Sequence, residues 1–284
     1  MLVYFVSVSV FLGVVLIIAY GLNQLQRGES ILTHWLFKSC LTNVGEAEFW
    51  GYGTSSEPTW SDTQSAALAL VTACAFSSAL VCAEEKFYPV PGFATPTRHK
   101  YGYYAVSSSG TLLVVFHGTE TLENVITDLR FRQTPFPPYG SVHEGFADQY
   151  VGSVRSDVLA FAAQHAASIK RVVVTGHSLG AALAQLCAVD LAARLPSVML
   201  FTFASPRVGD EAFADAMDAS VDHKRFQNVN DLIPAMPGGL SANSEYFHSG
   251  TPYLLSVETG TIANDHGLKA YRTAIAQNKF ISIP

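Results

Sequence analysis

The pentapeptide Gly176-His177-Ser178-Leu179-Gly180 limits what this chain can fold into more than any other stretch. Ahead of it runs Arg171-Val-Val-Val-Thr175, apolar and β-branched. Behind it runs Ala181-Ala-Leu-Ala-Gln-Leu-Cys-Ala-Val189, rich in helix formers. A strand that passes into a helix over so few residues needs a sharp, strained turn, and G-x-S-x-G permits one. The outer glycines let the two backbones approach where a Cβ would intervene. Ser178 then stands at the tip with its hydroxyl exposed, at the start of a helix. The next backbone N–H, on Leu179, points where an oxyanion would form.

The rest of the chain reads as a frame for that turn. Asp62 to Ala83 reads as one helix, capped by Asp62 and uninterrupted by Gly or Pro; its Ser, Thr, Gln and Ala content suits a buried core helix better than a membrane span. Tyr101–Val106 and Thr111–Phe116 form a hairpin around Ser107-Ser-Ser-Gly110. Helix Val151–His165, strand Arg171–Thr175, helix Leu179–Leu195, strand Val198–Phe203, helix Asp210–Ala219 and strand Lys224–Val229 then alternate. Strand Pro252–Val257 and a last helix, His266–Gln277, follow. Such alternation predicts a mostly parallel central sheet with helices on both faces.

From Leu2 to Leu22 there is no charged residue, and a helix of that length spans about 30 Å, the thickness of a bilayer core. We expect residues 1–28 to be a membrane anchor or signal segment and residues 29–284 the catalytic domain. The absence of Lys or Arg before the run, and its length, favour an uncleaved single-pass anchor. Ala19-Tyr20-Gly21 offers a cleavage site, so a secreted protein is the alternative. The run helps raise the apolar fraction to 49% while only 14% of residues are charged. A net charge of −6 with no basic stripe excludes nucleic acid as a partner. Cys40, Cys74, Cys82 and Cys187 form no C-x-x-C pair and have no histidine at metal spacing, so neither metal nor cofactor is expected; Cys187 reads as a small buried apolar residue.

A nucleophilic serine needs a base in reach and a carboxylate to orient that base. In α/β-hydrolases these follow the serine in the order acid, then histidine. Three histidines lie downstream of Ser178. His223, among Asp222, Lys224 and Arg225, reads as part of a solvated turn. His266, opening the last helix, and His248, in Phe247-His-Ser-Gly250, both remain open as the base. For the acid, Asp231 follows a strand's C-terminal end, where α/β sites assemble. Asp210 reads as a helix cap, and Asp265 adjoins His266 too closely to orient it.

Several ordered segments resemble the class 3 lipase family, whose fungal triacylglycerol lipases are its best-known members. They are Val115-Phe-His-Gly-Thr119, Ile126-Thr-Asp-Leu129, Val142-His-Glu-Gly-Phe146, Val174-Thr-Gly-His-Ser-Leu-Gly180, Thr202-Phe-Ala-Ser-Pro-Arg-Val-Gly209, Asn230-Asp-Leu-Ile-Pro234 and Asp265-His-Gly-Leu268. The resemblance covers roughly residues 101–271. It implies an α/β-hydrolase fold, with Ser178 as nucleophile, Asp231 as acid and His266 as base. It also implies an oxyanion hole from Thr119 and Leu179. Two positions depart from the family pattern: His117 stands where Arg is commonest, and Val125 where Trp is common in the lid.

The lid also has a physical argument. Leu122, Val125, Ile126 and Leu129 fall at i, i+3, i+4 and i+7, one apolar face of a short helix, with Glu123, Asn124 and Asp128 opposite. His143, His177 and Arg207 belong to the motifs and read as structural hydrogen-bonding residues. The expected activity is serine-dependent hydrolysis of carboxylic esters of acyl lipids: tri-, di- or monoacylglycerols or phospholipids. The expected partners are a lipid or ester substrate and a membrane. A non-lipid esterase, feruloyl or polymer ester, is the alternative on the same machinery; a catalytically silent lipase-like binding protein is another.

Overall fold

The computed structural model describes residues 59–82, 97–118, 132–238 and 245–281. The proposed anchor, Thr119 and the lid residues Leu122, Val125, Ile126 and Leu129 lie outside them, as do Cys40 and the side chain of Cys82.

The first described helix, α1 (Thr63–Cys82), starts on Asp62, whose Oδ1 accepts from the backbone N–H groups of Gln64 and Ser65 at 3.2 and 3.3 Å. Three strands follow: β1 (Thr97–His99), β2 (Gly102–Val106) and β3 (Thr111–Phe116). Next come a small hairpin, β4 (Gln133–Pro135) with β5 (Ser141–His143), and two helices, α2 (Glu144–Ser153) and α3 (Arg155–His165). Strand β6 (Arg171–His177) leads into α4 (Leu179–Ala192), β7 (Val198–Phe203) into α5 (Glu211–Ser220), and β8 (Asp222–Asn228) into a 3-10 turn at Ile233–Ala235. Strand β9 (Thr251–Leu255), the short helix α6 (Ile262–His266) and α7 (Leu268–Ala276) come last.

The sheet order is β1-β2-β3-β6-β7-β8-β9. The first three strands pair antiparallel; from β3 to β9 every pair is parallel. Period-2 alternation assigns each side chain to a face. Leu112, Val114, Phe116, Val172, Val174 and Leu200 join one core cluster with residues of α2, α3, α4 and α5. Leu113, Val115, Val173, Phe201, Phe203 and Phe226 join a second with residues of α1 and α7. Burying each such side chain is worth about 1.5–3 kcal/mol. Helix α4 is buried from Leu179 to Leu191, which explains why its sequence is apolar on every side. Its one carboxylate, Asp190, is held by Arg155 at 2.8 and 2.9 Å and by Tyr150 Oη–H at 3.0 Å.

Two predicted elements differ. The helix expected over Val151–His165 begins at Glu144 and breaks at Val154, where the backbone leaves helical geometry. The last helix begins at Leu268, because Gly267 is extended and separates it from α6. Helix α1 packs on α7 and on the sheet, as a core helix. Among the described residues no helix is long and apolar enough to cross a membrane. Cys187 is fully buried, as is Cys74, whose Sγ lies 3.5 Å from Thr175 Oγ1.

Candidate active site

The turn after β6 has the geometry its sequence requires. Ser178 adopts φ 56°, ψ −125°, a left-handed backbone that non-glycine residues rarely hold. Its N–H donates to Phe203 O at 3.0 Å, so β7 fixes the tip of the turn. A Cβ on Gly176 would overlap the Gly180 carbonyl. One on Gly180 would overlap the His117 carbonyl and come 2.7 Å from Phe116 O. Strand β6, the start of α4 and the end of β3 therefore meet at a point where only glycine fits. Leu179 is the first residue of α4, so its N–H has no acceptor within the helix.

The Ser178 side chain is covered rather than exposed, with the residue at 1% accessibility. The ring of His266 lies against it, with Nε2 2.8 Å from Ser178 Oγ. On the other side, His266 Nδ1 lies 3.0 and 2.9 Å from the two oxygens of Asp231. A carboxylate only accepts, so Nδ1 carries the proton and Nε2 is left as acceptor for the serine hydroxyl. Asp231 accepts twice more, from Ile233 N–H at 3.0 Å and Tyr271 Oη–H at 2.6 Å. Burial, then the charge of Asp231, push the Tyr271 phenol well above its ordinary pKa, so it stays a donor.

His266 closes α6 instead of opening the last helix, and Gly267 turns the chain away after it. His177, the residue before the serine, donates from Nε2 to the His266 carbonyl at 2.8 Å. Burial, with the neighbouring His266 ring second, drops the His177 pKa to about 3 and keeps it neutral.

The competing residues lie elsewhere. His248 Nε2 donates to Pro234 O at 2.7 Å, and burial lowers its pKa to about 3. His223 is not on a solvated turn: it is buried, with Nε2 2.8 Å from Thr202 Oγ1 and Nδ1 3.0 Å from Ser249 Oγ. Asp210 caps α5 by accepting from Phe213 N–H at 2.9 Å. Asp265 accepts from Thr259 N and Oγ1 at 2.7 Å each. Arg207 Nη1 donates to the carbonyls of Ala235 and Pro237 at 3.0 Å each, bracing the loop after Asp231. Tyr271 and Asn228 escaped the sequence reading; each acts on a partner about 30–40 residues distant, and neither carries a local pattern.

A serine, an imidazole and a carboxylate in line, on a strand-to-helix turn of a mostly parallel sheet flanked by helices, are the arrangement of the α/β-hydrolase fold. The model of the class 3 lipases matches residues 113–240, a span that includes Ser178 and Asp231 and stops short of His266. Over that span, less than half of its length, the chain is similar to the class 3 lipases. A lipase of Rhizomucor miehei is 37% identical over 154 residues, 49% of this chain and 42% of that protein. The secreted mono- and diacylglycerol lipase A of Penicillium cyclopium is 34% identical over 171 residues, 57% and 55% of the two chains. The chain thus spans about half the length of these curated relatives. A solved triacylglyceride lipase structure from Rhizomucor miehei superposes with a TM-score of 0.56 at 27% identity, over 66% of this chain and 78% of that one.

Proposed function

We propose that this protein is a serine hydrolase of carboxylic esters in acyl lipids. Ser178 is the nucleophile, His266 the base and Asp231 the acid that orients it. The single observation that carries the reading is the unbroken relay Ser178 Oγ, His266 Nε2, His266 Nδ1, Asp231, with contacts of 2.8 and 2.9–3.0 Å. In this reading the serine loses its proton to His266 as it attacks the ester carbonyl. The imidazolium then protonates the departing alcohol, and water hydrolyses the acyl-enzyme by the same route. The N–H of Leu179 and that of Thr119 form the oxyanion hole, each worth about 3–4 kcal/mol in the transition state. The segment with Leu122, Val125, Ile126 and Leu129 is the lid.

A lipid substrate is supported by the names of the relatives, a lipase and a mono- and diacylglycerol lipase. It is also supported by apolar side chains near the acid and base along the chain: Val229, Leu232 and Ile262 are each about half exposed. For localisation we favour the secreted alternative, with residues 1–28 as a signal segment, because the Penicillium relatives are named as secreted. A mature N-terminus near Leu22 in culture medium supports that reading. Full-length protein retained in carbonate-washed membranes returns the segment to an anchor.

The test of substrate class is a parallel assay on emulsified mono-, di- and triacylglycerols, phosphatidylcholine vesicles and a feruloyl ester. Acyl-lipid hydrolysis that disappears in S178A is expected. Turnover confined to the feruloyl ester would move the protein to the non-lipid esterases.

A further inference from the structure

The base stands on a connection that secondary structure does little to hold. Strand β9 ends at Leu255, and α6, which His266 closes, is only five residues long. Two buried side chains from strand ends do the fastening instead. Asn228, the last residue of β8, donates from Nδ2 to Val257 O at 2.8 Å and to Asp265 O at 3.1 Å, while its Oδ1 accepts from Val257 N–H at 3.1 Å. One amide thereby ties the two ends of the connection together. His177, the last residue of β6, donates to the next carbonyl along, that of His266. Consecutive carbonyls on the base segment are thus held from two strands, on either side of β7.

We infer that His177 and Asn228 are positioning residues for the base, fixing the main chain at Asp265 and His266 so that the imidazole stays between Ser178 and Asp231. The inference rests on the reading of those three residues as the catalytic set. His177 adjoins Ser178, so one peptide segment sets both nucleophile and base, and a shift of the turn carries His266 with it. The residue must also be neutral. Its ring centroid lies 4.8 Å from that of His266, where a cation would oppose the imidazolium that forms during turnover. A buried imidazole donating through Nε2 meets both needs; Lys or Arg would not.

Misplacing a reacting group by about 1 Å can cost on the order of a hundredfold. H177L removes the donor. H177Q restores one, because the Gln amide nitrogen lies as many bonds from Cα as imidazole Nε2 does. On a water-soluble p-nitrophenyl ester, H177L should lower kcat by about 10–100-fold with KM within about threefold, and H177Q should recover most of the loss. The low-field proton of the His266–Asp231 hydrogen bond should broaden in H177L and sharpen again in H177Q. A kcat for H177L within about threefold of wild type, or no rescue by H177Q, would overturn the inference.

If H177L shows no cooperative melt, N228D is read the same way, since it removes the Nδ2 donor at nearly constant size. The wild-type protein gives a measurement that needs no variant. Imidazole 15N shifts should show His177 as the neutral Nε2–H tautomer from about pH 8 to about pH 5; a cationic or Nδ1–H His177 overturns the proposal. Labelling of wild-type Ser178 by a fluorophosphonate separates the failures. No labelling sinks the catalytic reading itself, whereas normal labelling with an unimpaired H177L sinks only this inference.

Discussion

Replacing His223 with Gln should make the protein less stable at neutral pH and relatively more stable in acid. His223 is 3% accessible, and Gly250 lies so close above its ring that a Cβ there would come 2.5 Å from Cγ. Burial holds its pKa well below the ordinary 6.5, and the neighbouring Arg225, His248 and Lys224 push the same way. The unfolded chain gains a proton as pH falls through 6.5, and the folded chain does not, so stability is lost below that value. The loss in this window does not depend on how far the folded pKa is depressed. It amounts to about 1.4 kcal/mol one pH unit below the ordinary value and about 2.7 kcal/mol two units below.

H223Q removes that term. At neutral pH it should cost about 1–2 kcal/mol, because Ser249 Oγ keeps Gln185 Oε1 as a partner at 3.3 Å and the Gln amide can still meet Thr202. The difference between variant and wild type should then close, and reverse near about pH 5. Urea unfolding followed by circular dichroism at a series of pH values measures it. Parallel stability curves for the two proteins would mean that His223 is charged in the fold or equally free in both states, and the buried-imidazole argument would be wrong.

Other substitutions bear on the site. H266A should lose at least about a thousandfold in kcat, D231N should be severely impaired because an amide cannot hold the same tautomer, and H248A should lose far less. A larger loss in H248A than in H266A, by initial rates on a soluble ester, would reassign the base. G180A should be destabilised by about 1–3 kcal/mol or more and lose activity, since its Cβ meets the main chain of β3. An active G180A with an unchanged melting temperature would show that the turn does not need glycine.

What could be read from residues alone follows how local each cause is. The turn at Ser178 is written in five consecutive residues, and its two glycines answer contacts made by that same turn and β3. Strand and helix alternation is also local, so the two faces of the sheet follow from period-2 patterning. His223 was misread for a physical reason: Asp222 and Lys224 on β8 place charge on either side of it, yet alternation turns His223 inward. The break between His266 and the last helix depends on one extended glycine inside an apparently helical stretch. The second layer, Tyr271 on Asp231 and Asn228 on Asp265, joins side chains to groups far along the chain, which no window of sequence contains. The geometry brings His266, not His248, to Ser178, while His248 bonds to the carbonyl of Pro234.

The central claim is that Ser178 is an activated nucleophile, and covalent labelling tests it most directly. Wild-type protein treated with a fluorophosphonate and mapped by peptide mass spectrometry should carry the adduct on Ser178 alone, and S178A should neither label nor hydrolyse esters. An adduct on another residue, or an S178A protein that still turns over ester, would contradict the account.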